Sequence, residues 1–140
     1  MTEGTDAVNQ DDQHLRLLTI FHYVLAAIIG LTACIPIIHL VVGALMIGGA
    51  FDKGSSSGPP EPVGWLFVGI AATVILLGWA AAVLTAMAGR FLAARRNYTF
   101  CMVVAGLLCL IMPMGTVLGV FTIVVLMRES VRAQFGLAAG

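Results

Sequence analysis

The chain has 140 residues, 60% hydrophobic and 10% charged, with seven Lys plus Arg against seven Asp plus Glu. A soluble domain carries about 25% charged residues, and a nucleic-acid binder needs a basic face. The neutral balance excludes the second class, the apolar excess argues against the first, and the length admits one membrane domain with no separate soluble core.

Residues 1–13 are polar and acidic, with Glu3, Asp6, Asp11 and Asp12, and read as a flexible N-terminal tail. Asp11 or Asp12 is placed to cap a helix running through Leu15, Leu17 and Leu18. Leu17–Phe51 then carries 35 residues without a charged side chain. As one straight helix this run is about 52 Å, against roughly 30 Å of hydrocarbon. Pro36 near its middle removes a backbone donor and crowds the preceding turn. The β-branched Ile37 and Ile38 that follow suit a kink better than a tight turn, so residues 17–50 read as one kinked span. Leu31-Thr32-Ala33-Cys34 has the look of a lipobox, but the segment before the run is acidic where a signal peptide is basic.

Residues 52–63, rich in Ser, Gly and Pro, read as an exposed loop, and Trp65 stands just after it at interface depth. Residues 64–89 form the second span, about 39 Å long. The third uncharged run, Asn97–Met127, is again too long for one span, at about 46 Å. It contains Met112-Pro113-Met114-Gly115, which fits a type I turn with Pro second and Gly last. Pro113 therefore marks a hairpin tip between spans 97–112 and 114–128, and residues 129–140 form a C-terminal stub.

Arg90, Arg95 and Arg96 are the strongest basic cluster and belong on the cytoplasmic side. A hairpin at Pro113 returns Arg128 and Arg132 to that side. The expected fold is an all-α polytopic transmembrane bundle over residues 14–128, with four crossings and both termini cytoplasmic. Three crossings follow if the last run passes once, and five if Pro36 also turns.

Small residues at four-residue spacing are the main packing signal: Gly115 with Gly119, Gly78 with Ala82 and Ala86, and Ala26 with Gly30 and Cys34. On a helix they share one face and let backbones approach closely, within one chain or between chains. Arg90, Arg95 and Arg96 set topology and can meet anionic lipid headgroups. His22, beside Tyr23, is expected near the headgroups or on a carbonyl of a neighbouring helix. His39 lies deeper and is the intramembrane polar candidate, expected to make an interhelical hydrogen bond. The two are about 25 Å apart along a continuous helix and cannot share one haem iron within a subunit. Cys34, Cys101 and Cys109 have neither the even number of a disulfide framework nor C-x-x-C spacing.

No Asp, Glu, Lys or Arg lies inside the three runs, although proton-driven transporters place such groups at depth. There is no P-loop, H-E-x-x-H or G-x-S-x-G. Ser55, Ser56 and Ser57 fall in the loop with no histidine near them in sequence, and read as linker. No catalytic residue, cofactor or metal ligand is expected, and the chain does not read as an enzyme.

The stretch Pro113-Met-Gly115-Thr116-Val-Leu118-Gly119-Val-Phe121 resembles a P-x-G-T-x-L-G-[VI]-[FY] segment near the C-terminus of many small, uncharacterised bacterial multi-pass membrane proteins. Arg128 to Phe135 continues the resemblance, and Leu15 to Tyr23 is similar to their start. The resemblance implies a bacterial inner-membrane protein and carries no activity with it. The expected role is a helix-packing scaffold or accessory subunit, self-associating or part of a larger membrane complex, with membrane lipids as its other partner. The rival reading is a transporter or channel for small uncharged solutes, lined by Thr73, Thr85, Thr116, Thr122 and His39.

Overall fold

The computed structural model describes residues 3–50, 60–111 and 113–136, the first six of these as backbone only. The described chain is all α: α1 (Glu3–Thr32), α2 (Ile37–Ile47), α3 (Glu61–Ala93), α4 (Tyr98–Leu108), α5 (Met114–Leu126) and α6 (Glu129–Gln134). Two stretches are long and apolar enough to cross a membrane, Asn9–Ile47 and α3, while α4 and α5 are shorter apolar helices. Only 17% and 11% of the most apolar windows of the two long stretches are buried, so neither is the core helix of this fold. Most of the loop expected over 52–63, including Ser55 to Ser57, lies outside the described residues, as does Met112 of the expected type I turn.

The chain divides into two compact units, residues 27–82 and residues 1–26 with 83–140. In the first, the helical path breaks where the pyrrolidine ring leaves Thr32 without its usual donor. Tight three-residue turns fill the break: Cys34 N–H to Leu31 O at 3.1 Å, Ile35 N–H to Thr32 O at 3.0 Å, and Ile37 N–H to Cys34 O at 3.1 Å. The chain does not reverse there. Gly30 meets Ala82, Ala33 meets Gly78, His39 meets Phe67, and Gly43 meets Gly64. The partner's number falls steadily as the chain advances, so α2 continues in the direction of α1, antiparallel to α3. The turn at Pro36 that five passes would need is not formed.

In the second unit the N-terminal segment departs from expectation. Residues 3–13 are helical and belong to α1, so Asp11 and Asp12 sit within a helix instead of capping one. Two interactions order the segment. Leu15 and Leu18 enter a core cluster with Leu92, Cys101, Val125, Leu126 and Val131, and both aspartates find arginines.

The α3–α4 connection is short. Arg95 is left-handed (φ 51°), with Arg95 N–H bonded to Leu92 O at 3.2 Å and Arg96 N–H to Phe91 O at 3.0 Å. That double closure is a Schellman motif, a role that glycine usually fills. Asn97 is also left-handed (φ 54°), a conformation its side chain tolerates. After α4 the chain leaves through Cys109–Ile111 and, from Pro113, returns as α5. Gly115 lies inside α5, not at the end of the turn. Tyr98 donates to Leu126 O at 3.1 Å and Thr116 to Cys109 O at 2.8 Å, which fixes the antiparallel register of the hairpin. Arg128 is extended, α6 then buries Val131, and Phe135 stacks edge-on against Tyr98 at 5.8 Å.

Candidate functional site

The features with recognisable roles are close helix contacts and a charged end. At Gly119 a Cβ would collide with Ala105 O and stand 2.7 Å from Cys109 Sγ. At Gly115 it would stand 2.5 Å from Leu108 O and 2.8 Å from Ile111 Cβ. Both glycines therefore face α4 of the same chain. Gly78 would place a Cβ 2.6 Å from the Cβ of Ala33. Gly30 is looser, at 3.8 Å from Ala82 Cβ; Ala82 is buried and Ala86 half-buried.

Three further contacts have no counterpart in the sequence reading. A Cβ at Gly43 would lie 2.9 Å from Val68 and 3.1 Å from Gly64 O. One at Gly64 would lie 2.8 Å from Ile47 and 3.2 Å from Gly43 O. One at Gly89 would lie 3.1 Å from His22 Cβ. The four-residue rule examines one helix at a time, whereas Gly43 and Gly64 are lone glycines that face each other across two helices.

Arg95 Nη2 meets Asp12 Oδ1 at 2.6 Å with both side chains nearly half exposed, and Arg128 Nη1 meets Asp11 Oδ1 at 3.3 Å. The Asp11 side chain is only 5% exposed, and Arg128 is its ion-pair partner. The exposed pair contributes about 0.2–1 kcal/mol. Arg90, Arg96 and Arg132 are exposed. The sequence separated acidic and basic segments, and the fold joins them.

His22 is fully buried, with Nδ1 at 2.9 Å from Leu18 O and no hydrogen-bond partner at Nε2. The expected carbonyl of a neighbouring helix is corrected: His22 bonds its own helix, one turn back. His39 is exposed and makes a ring contact with Phe67 (6.2 Å, 26°) where a hydrogen bond was expected. It borders a half-open apolar groove of about 290 Å³ formed with Pro36, Leu66, Ile70 and Val74.

The threonines of the rival reading have partners within the chain. Thr73 donates to Gly69 O at 2.8 Å, Thr116 to Cys109 O at 2.8 Å and Thr122 to Leu118 O at 2.7 Å, while Thr85 is buried and partnered. The three cysteines are free thiols, with Cys101 fully buried and Cys34 and Cys109 donating to carbonyls of their own helices. Among the described residues no group of three or more His, Cys, Asp or Glu could hold a metal ion.

The chain matches no family model, no curated protein and no solved structure.

Proposed function

We propose that the chain is a small integral membrane protein of structural type, a helix-packing scaffold or accessory subunit. The observation that carries this reading is the spread of exposed large apolar side chains, among them Leu31 (74%), Leu76 (70%), Leu110 (80%) and Val117 (72%). Water penalises such a surface, which far exceeds the scattered apolar patches of a soluble monomer. Lipid favours it, because between helices in a bilayer packing depends on small residues and shape.

The ion pairs Asp12–Arg95 and Asp11–Arg128 support one charged end for the start of α1, the α3–α4 connection and the exit of α5. That end is cytoplasmic by its arginine content, giving an even number of passes and cytoplasmic termini. The resemblance to small bacterial multi-pass proteins favours the inner, or plasma, membrane. Gly115 and Gly119 are occupied by α4 of the same chain, which favours an accessory or scaffold role over self-association through that pair.

The rival is a channel or transporter for small uncharged solutes, although Thr73, Thr116 and Thr122 spend their hydroxyl protons on backbone carbonyls. Flux measurements on purified protein in sealed liposomes separate the two. The scaffold reading predicts no solute movement above empty vesicles across a panel of sugars, polyols and amides, and a partner retained after mild solubilisation. Saturable movement of one solute class contradicts it.

A further inference from the structure

The hairpin of α4 and α5 is short for the membrane it would have to cross. Phe91 meets Phe100 edge-on at 5.2 Å, and Cys101 Sγ reaches Ala88 O at 3.8 Å. Arg90 lies between Ala88 and Phe91, so α4 passes the level of this arginine at about Phe100–Cys101. From Cys101 to Ile111 the chain descends only about 15 Å at 1.5 Å per residue, half of a roughly 30 Å hydrocarbon layer.

The tip has the composition of an interior and not of a surface. Cys109-Leu-Ile-Met-Pro-Met114 contains no charged or strongly polar side chain, whereas residues 52–61 contain Asp52, Lys53, three serines and Glu61. Hydrocarbon excludes backbone whose polar groups lack partners, and several groups of this turn find partners within the hairpin. Leu110 N–H bonds Leu107 O at 3.1 Å, Ile111 N–H bonds Leu108 O at 2.9 Å, and Thr116 N–H bonds Ile111 O at 3.2 Å. Pro113 has no N–H to satisfy. The Thr116 hydroxyl covers Cys109 O at 2.8 Å. Leu110 and Met114 point outward at 80% and 65% exposure.

We propose that α4 and α5 form a half-membrane hairpin, an apolar surface whose partner is the acyl chains of the leaflet on the arginine side. The proposal rests on the membrane reading above and turns two of the four expected passes into half-passes.

The test uses the full chain with Cys34, Cys101 and Cys109 replaced by alanine. Single reporters are Leu110→Cys and Met114→Cys at the tip, Ser56→Cys in the polar loop and Ala133→Cys in α6. An impermeant maleimide is applied to each face of sealed vesicles. Ala133→Cys is expected to react from one face only and Ser56→Cys from the opposite face only. Both tip reporters react from neither face until detergent is added. A bimane at Leu110→Cys is quenched several-fold more by lipids brominated near the chain ends than by lipids brominated near the headgroup. Tip labelling from the Ser56 face means a full crossing and overturns the proposal. Labelling from the Ala133 face, or stronger quenching near the headgroup, means a surface hairpin and also overturns it. If brominated lipid quenches no reporter anywhere in the chain, the membrane reading itself has failed.

Discussion

Gly119→Ala is expected to lower the unfolding free energy of the detergent-solubilised protein by about 1–3 kcal/mol, the range for forcing extra atoms into a packed contact. The reason is local and rigid. The added methyl would collide with Ala105 O and stand 3.1 Å from Cys109 N, both backbone atoms that cannot rotate away. Relief requires α4 and α5 to separate, which also strains the Thr116 bond to Cys109 O that holds the turn. Gly119→Leu should cost more. Gly106 supplies the control on the same hairpin, because a Cβ there meets nothing within 4 Å. Gly106→Ala should be neutral or stabilising by up to about 1 kcal/mol, the propensity difference between the two residues in a helix. Chemical or thermal unfolding in one detergent compares them directly. Equal losses at the two glycines would contradict the packing described for this hairpin.

Arg128→Gln should destabilise the protein by about 1–3 kcal/mol, because it leaves the Asp11 carboxylate buried without its cation. Asp12→Asn, at the exposed pair with Arg95, should cost at most about 1 kcal/mol. The ranking follows burial and not distance: the Asp12 pair is shorter, yet both of its members are well solvated. Combining Asp11→Asn with Arg128→Gln should recover most of the loss, since the double variant buries no unpaired charge. The check is a double-variant cycle read by unfolding free energy. A double variant as unstable as Arg128→Gln alone would show that Asp11 does not depend on that arginine.

The long apolar helices were legible because their signal is bulk composition. A run such as Leu17–Phe51, with no charge in 35 residues, admits few solvents other than lipid. The two prolines were legible by their neighbours. Ile37 and Ile38 kept the chain straight past Pro36, and the apolar segment after Pro113 folded back along α4. Gly115 lies inside α5, where the absence of a side chain lets Leu108 O approach. The N-terminal segment was misread for a physical reason. Its acidic composition resembles a solvated tail, but Asp11 and Asp12 find cations 117 and 83 residues away, and no local pattern carries that information. The glycine pairs divided the same way. Gly115 and Gly119 stand out by spacing, whereas Gly43 and Gly64 become partners only once α2 and α3 lie antiparallel. His39 misled because depth in a sequence run does not fix which way a side chain faces.

Everything above depends on acyl chains surrounding the outward-facing leucines, isoleucines and valines of α1 to α5. Washing membranes that contain the chain with alkaline carbonate strips proteins held only at the surface and leaves embedded ones in place. The chain should remain entirely with the sedimented bilayer and leave it only when detergent is added. Release into the carbonate supernatant as a folded, non-aggregated protein would contradict the account.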